Sequence, residues 1–359
     1  MTVIYFILML GIIIAVHEFG HMIIAKLFNV YVHEYAIGFG PKIFSRQGKE
    51  TLYTLRAIPL GGFTGMVEQE DTPIKLDDEG NPVEILHVEK NRTFYGVAVW
   101  KRICILLAGP VFNLLLACVV FIGLFQVQGY TTEYPPAIIA SVMENSPAQQ
   151  AGLQANDRIV KIEYSNGTVA YPETFYDVVV ANTSNHDPII MTVERNGSEL
   201  SFTVTPKLNE ETGSYMIGIQ AGEMIVKELN FFSAIPTGIS YAFEVLGLTV
   251  DSIIGLFTGK YGMEALGGTI SIYKYTEEAA SYGFTSILSL MGSLSVSVGL
   301  MNLIPISIFD GGRILLSIIE GIIGHRLSEK VENYIMYFGL GLVMILFVVV
   351  TIQDIKKLF

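Results

Sequence analysis

The stretch Ala15-Val16-His17-Glu18-Phe19-Gly20-His21 lies inside an apolar, proline-free segment over residues 3–28. No other part of the chain limits its fold and chemistry so tightly. An apolar run of this length is expected to form one helix able to cross a bilayer. On such a helix His17 and His21 stand one turn apart on the same face. Their H-E-x-x-H spacing offers two imidazole nitrogens to a single zinc ion. Glu18, beside the pair, is placed to take a proton from water without ligating the metal, the part of a general base. Ionisable groups are costly within a span and are rarely kept there without a function.

Composition agrees with a membrane protein. Of 359 residues, 51% are hydrophobic and only 16% charged, which suits several spans with a water-soluble part and not an ordinary soluble enzyme. The formal net charge is −12 with no basic run, so no nucleic-acid partner is expected. Cys104 and Cys118, the only cysteines, fall in one apolar run about 21 Å apart along a helix, too far to bridge. The amino-terminal segment has no basic leader or small-residue cleavage site and carries the candidate ligands, so it is expected to be retained.

Four segments are read as transmembrane helices: residues 3–28, 103–127, 286–309 and 334–352. An even number puts both termini on one side. Lysine and arginine are dense between the first two spans, and Arg313, Arg326 and Lys330 follow the third. These loops are therefore expected in the cytosol and the termini outside, with Lys356 and Lys357 arguing weakly for the reverse.

Between the spans the pattern changes. Residues 31–37 and 51–58, flanked by Gly38-Phe39-Gly40-Pro41 and Pro59-Leu60-Gly61-Gly62-Phe63, alternate like the strands of a β-hairpin within a 30–66 segment. Such irregular backbone sits at membrane depth only beside protein or a wet cavity, so the segment is either a loop dipping towards the histidines or a plain cytosolic hairpin. The acidic 67–99 segment reads as a solvated loop. The second helix, over 100–127, contains Ala108-Gly109-Pro110-Val111-Phe112-Asn113. Asn113 is either a packing residue at a proline kink or part of a site.

Residues 134–207 read as a soluble α+β module: a strand at 137–142, a helix at 146–153 capped by Ser146, a strand at 158–162, a helix at 172–181 and a hairpin closed by Asn196-Gly197. Within the connecting region 208–285, residues 231–257 are apolar but hold Pro236, Glu244 and Asp251. The two acids are seven apart on one face, so an amphipathic helix lying at the outer surface is expected, not a fifth span.

A catalytic zinc needs a third protein ligand. His33, His87, His186, His325 and the acidic residues are candidates. Asp310 stands out in Asn302-Leu303-Ile304-Pro305-Ile306-Ser307-Ile308-Phe309-Asp310-Gly311-Gly312, at the end of the third span (286–310), before the 311–333 loop. Taken alone it also fits an acid at a helix end on the interface.

The module's S-P-A-x-x-A-G-L-x-x-x-D-x-I pattern resembles a bacterial PDZ domain, with Asn156 in place of a glycine before Asp157. Together with H-E-F-G-H, A-G-P-V-F-N and N-L-I-P-I-S-I-F-D-G-G, in that order over nearly the whole chain, the sequence resembles the site-2 protease family of intramembrane zinc metalloproteases, in its branch with a single PDZ domain. The resemblance implies Zn2+ held by His17, His21 and Asp310, Glu18 as catalytic base and Asn302, with Asn113, as substrate-holding residues. It also implies a membrane-reentrant β-hairpin at 30–66. The implied fold is a multi-pass α-helical membrane protein of four spans with an extracytoplasmic PDZ domain and its active site near the cytosolic face. Implied partners are the lipid bilayer, single-span membrane proteins such as trimmed anti-sigma factors or remnant signal peptides, and a peptide or carboxy terminus at the PDZ domain. Thr269, Ser297 and Ser307 stand where the family pattern commonly has proline, asparagine and proline. The alternative is a non-catalytic PDZ-containing membrane adaptor, against which Glu18 speaks, since a structural metal site favours four protein ligands and has no use for a base.

Overall fold

The computed structural model describes residues 1–76, 82–182, 187–209, 214–259, 262 and 266–356. His186 and Lys357 lie outside them. Two compact units divide the chain: Met1–Gln128 with Asn230–Phe359, and Gly129–Leu229.

The first unit begins with α1 (Thr2–Leu27). Asn29 turns the chain in the left-handed conformation (φ 63°), which asparagine tolerates better than most residues. The hairpin that follows is longer than its alternating pattern suggested: β1 is Val32–Gln47 and β2 is Leu52–Met66. The ladder is irregular, so residues 34–37 are flanked by residues 62–65 on one side and 52–55 on the other, while 42–47 pair with 52–56. Among the described residues, 62–65 have a ladder partner on one side only.

The 67–99 segment is not the loop expected. It contains a hairpin of β3 (Asp71–Leu76) and β4 (Pro82–His87) and a 3-10 turn at Lys90–Arg92. Val67 and Phe94, buried at 0% and 2% exposure, fasten its ends beneath α1. Tyr31 N–H donates to Arg92 O, Val67 N–H to Tyr31 O and Phe94 N–H to Val67 O. The charged residues between these anchors disguised them.

After α2 (Val99–Gln128) the chain forms the second unit. Its elements are β5 (Tyr130–Glu133), β6 (Ser141–Val142), α3 (Pro147–Ala151), β7 (Arg158–Tyr164), β8 (Val169–Ala170), α4 (Phe175–Asn182), β9 (Ile189–Arg195), β10 (Ser198–Val204), β11 (Lys207–Asn209), β12 (Ser214–Met216), β13 (Ile219–Gln220) and β14 (Ile225–Glu228). A four-stranded sheet runs β10-β9-β7-β8, and smaller pairs join β13 to β6 and β14 to β5. Ile139, Ile159, Ile162, Ile189, Met191 and Val193 form the core. The strand expected at 137–142 shrinks to β6, with Ile138 making a lone bridge to Arg158. Ser146 caps α3 by accepting from Gln149 N–H, and Asn156 is left-handed at φ 70°. Asp157, fully buried, receives two bonds from Arg195, each 2.6 Å.

The chain returns to the first unit through α5 (Phe231–Phe257), α6 (Thr269–Tyr282), α7 (Phe284–Asn302), α8 (Asp310–Ile323) and α9 (Glu329–Lys356). Among the described residues five helices, not four, are long and apolar enough to cross a membrane: α1, α2, α5, α7 and α9. The addition is α5. Its acids Glu244 and Asp251 are exposed, but its small residues pack on other helices: Ala242 is buried with Ala117, Phe121 and Val296, and Gly238 lies against Ile122. Two acids on one face had concealed a packed face on the other. With five candidates, parity no longer places the termini.

The third span also ends early. α7 stops at Asn302, Pro305 interrupts the following turn, and Asp310 opens α8 instead of closing α7. A Cβ on Gly311 or Gly312 would strike the backbone carbonyls of Leu303 or Ile306, so the glycine pair lets α8 start tight under this connection. Ser307 Oγ donates to Ile335 O at 2.7 Å, and Arg102 at the start of α2 bonds to Glu320 of α8 at 2.6 Å. That pair is 8% and 5% exposed at the side chains. Glu320→Ala would leave the guanidinium buried and uncompensated, a loss of about 3–5 kcal/mol. The expected result is a lower melting temperature of the detergent-solubilised chain; an unchanged one would contradict this role.

Candidate metal centre

Three elements build the site. α1 supplies His17 and His21 from one face, 8% and 5% exposed. α8 supplies Asp310 from its first turn, its side chain 14% exposed. α2 forms the wall behind them, and the wall is close because of Gly20 and Gly109. A Cβ on Gly20 would lie 2.9 Å from Phe112 Cγ and against Ala108 O; one on Gly109 would lie 2.6 Å from His21 Cε1 and 2.7 Å from His17 Cε1.

The donors converge. His17 Nε2 is 3.1 Å from Asp310 Oδ2, His21 Nε2 is 3.2 Å from the same oxygen, and the two nitrogens are 3.2 Å apart. Ligand atoms about 2.0–2.1 Å from a tetrahedral zinc are about 3.3 Å from one another, so this triangle has the right size for one face of the tetrahedron. Asp310 Oδ2 is buried with no hydrogen-bond partner among the described residues, despite its neighbours. A buried carboxylate oxygen in that condition fits a cation that the three atoms share.

Behind the donors, each imidazole is gripped at its other nitrogen. His21 Nδ1 is 2.8 Å from Ile105 O, which can only accept, so Nδ1 carries the proton and Nε2 presents a lone pair to the centre. His17 Nδ1 lies 3.3 Å from the Asn113 amide, whose Oδ1 is a buried acceptor without a partner among the described residues. Turning that amide end for end lets Nδ1–H donate to Oδ1 and frees His17 Nε2 in the same way. Asn113 was expected to hold substrate, but it has no exposed surface; its place is that of a residue orienting His17.

Glu18, partly exposed, receives the Thr64 hydroxyl from β2 at both its carbonyl oxygen (2.8 Å) and Oε2 (3.0 Å). Asn302 is half-buried at the end of α7, and one amide proton goes to Val298 O at 3.0 Å. His33, His87 and His325 are not drawn in: among the described residues, His17, His21 and Asp310 form the one group of His, Cys, Asp or Glu able to share an ion. Gly109 and Thr64 were missed as site residues. A glycine inside an apolar helix beside Pro110 signals close approach, whereas nothing in the sequence pairs Thr64 with Glu18.

Residues 5–346 match the family model described as peptidase family M50. The chain belongs to peptidase family M50, the site-2 proteases. It is 31% identical to a probable protease, Eep, of Enterococcus faecalis, over 100% of this chain and 99% of that protein. It is 30% identical to the zinc metalloprotease RasP of Bacillus licheniformis at the same coverages, and 33% identical to a putative zinc metalloprotease of Clostridium acetobutylicum, over 97% of this chain and 96% of the relative. This M50 peptidase is thus a multi-pass membrane metalloprotease with zinc as its cofactor.

Proposed function

We propose that this M50 peptidase hydrolyses a peptide bond within or near the transmembrane helix of single-span membrane proteins, as a step in regulated intramembrane proteolysis. The observation that carries the reading is the convergence of His17, His21 and Asp310 ligand atoms to within 4.8 Å of one another, with Glu18 next in sequence to one of them. His17 and His21 would hold zinc through Nε2 and Asp310 through Oδ2, and the ion would supply there a Lewis acid that acidifies water and polarises a peptide carbonyl. Glu18 accepts the proton from the attacking water at its carboxylate and returns it to the departing amine. Asn113 holds the His17 tautomer, and Asn302 retains the amide groups not spent on Val298 for the substrate backbone.

A transmembrane helix has no free backbone groups, so the substrate must unwind near the site. Residues 62–65, paired on one side only among the described residues, support strand addition to the hairpin, which would replace the bonds lost. The hairpin would then be a membrane-reentrant element. The basic loops around α1–α2 and α8–α9 support a cytosolic position for that end of the site.

The second unit is read as a PDZ domain on the outer side, either gripping the carboxy terminus left by an earlier cut or excluding substrates with large ectodomains. Pre-trimmed anti-sigma factors and remnant signal peptides are the substrates of that kind. A non-catalytic adaptor is disfavoured by the open three-ligand arrangement and by Glu18.

The test is co-expression with a single-span reporter carrying either a truncated or an intact ectodomain. Wild type is expected to cut the truncated form and a His21→Ala variant neither; equal cleavage by both would overturn the reading. Because β5 and β14 pair with Tyr130 opposite Glu228, residues 134–224 can be replaced by a short linker. That deletion weakens cleavage if the module grips substrate and admits the intact form if it excludes it.

A further inference from the structure

Thr64 sits on the part of β2 that lies against α1. Its Oγ1 is 2.8 Å from the Glu18 carbonyl oxygen and 3.0 Å from Glu18 Oε2. Both are acceptors, so the single hydroxyl proton is shared between backbone and side chain of one residue. This contact joins positions 46 residues apart, and two others seat the same strand pair on the same helical turns. Tyr35 OH donates to Ala15 O at 2.7 Å. Gly62 brings its backbone so near that a Cβ there would lie 3.2 Å from Glu18 Cγ and 2.8 Å from Ala36 O.

The consequence is specific to Glu18. A glutamate on a helix turns freely about its side-chain torsions unless something holds the carboxylate. Here one oxygen, Oε2, is tied, while Oε1 has no hydrogen-bond partner among the described residues. With Oε2 anchored and Cγ bounded by the strand backbone at Gly62, the plane of the carboxylate is set and Oε1 is the oxygen left to meet water.

We infer that Thr64 is a positioning residue for Glu18, its hydroxyl fixing the carboxylate so that Oε1 faces the attacking water. The inference rests on the reading of Glu18 as the base. The Thr64 hydroxyl is spent on Glu18 and on none of the metal donors, so its side chain acts through Glu18, whatever the backbone of residues 62–65 does for the substrate strand. Since it stands on residues 62–65, the segment proposed to receive the substrate strand, base orientation depends on how that segment is seated.

The experiment compares wild type, Thr64→Val, Thr64→Ser and Glu18→Gln as full-length purified chains in detergent, measuring kcat and KM on the truncated reporter, zinc content and melting temperature. Valine keeps the shape and removes the hydroxyl. Thr64→Val is expected to lower kcat about 10- to 100-fold, the scale of a misplaced reacting group, with KM within about twofold and zinc unchanged. Thr64→Ser is expected to recover kcat to within about threefold of wild type. Wild-type kcat in Thr64→Val, or a loss that serine does not restore, overturns the inference. If Thr64→Val unfolds, Thr64→Ser against Thr64→Ala gives the same comparison of hydroxyl against none. An active Glu18→Gln would sink the base assignment itself; an inactive Glu18→Gln beside a fully active Thr64→Val would sink only the role given to Thr64.

Discussion

Glu18→Gln is expected to reduce reporter hydrolysis by about a hundredfold to ten-thousandfold while leaving bound zinc at the wild-type level. The amide is nearly isosteric with the carboxylate and still accepts the Thr64 hydroxyl through its carbonyl oxygen, so the tie at 3.0 Å can persist. What it loses is the capacity to take a proton from water and hand it on, and loss of a general base typically removes two to four orders of magnitude in rate. Because the converging donors are His17, His21 and Asp310, metal content should not follow activity. Zinc analysis and initial rates on the same preparation separate the two roles. If zinc and activity fall together, Glu18 belongs among the ligands; if neither falls, it is not the base.

Gly109→Ala is expected to empty the site. In a helix interior alanine is favoured over glycine by about 1 kcal/mol, so α2 should form at least as well. The added methyl, however, would stand 2.6 Å from His21 Cε1 and 2.7 Å from His17 Cε1, well inside van der Waals contact. Neither ring can easily retreat: His21 is held by Ile105 O and His17 lies against Asn113. One or both Nε2 atoms must then leave the triangle they form with Asp310 Oδ2. Zinc content is expected to fall below about a tenth of wild type, as does cleavage, with the melting temperature of the zinc-free chain unchanged. Zinc retained at full occupancy would show that the helices yield there, and that the close wall is not what shapes the site.

Much of this centre was legible in the sequence, for physical reasons that differ by residue. His17 and His21 are four apart in a helix, so their proximity is a local property that sequence spacing encodes. Asp310 is 289 residues beyond His21, and its own surroundings taken alone favoured a helix-end acid; only the order of motifs along the chain singled it out. Its setting differed from the expectation because Pro305 and the glycine pair stop α7 and restart the chain as α8, whereas hydropathy alone runs on through Phe309. The same limit misled the reading of α5, where Glu244 and Asp251 suggested a surface helix and the buried small residues Gly238 and Ala242 carried the opposite message. In the 67–99 segment, two apolar anchors among many charges hold the backbone, and composition averages them away. Gly109, Thr64 and the Arg102–Glu320 pair matter only through contacts between distant elements, and no local pattern announces such contacts.

The most direct test is the zinc content of the purified full-length chain and of His17→Ala, His21→Ala, Asp310→Ala and His325→Ala, measured after dialysis against a weak chelator. About one zinc per chain is expected in wild type and in His325→Ala, whose exposed ring lies apart from the trio, and a loss in each of the other three, since two remaining ligands hold zinc poorly. Full zinc in any of those three variants would contradict the ligand set on which the account stands.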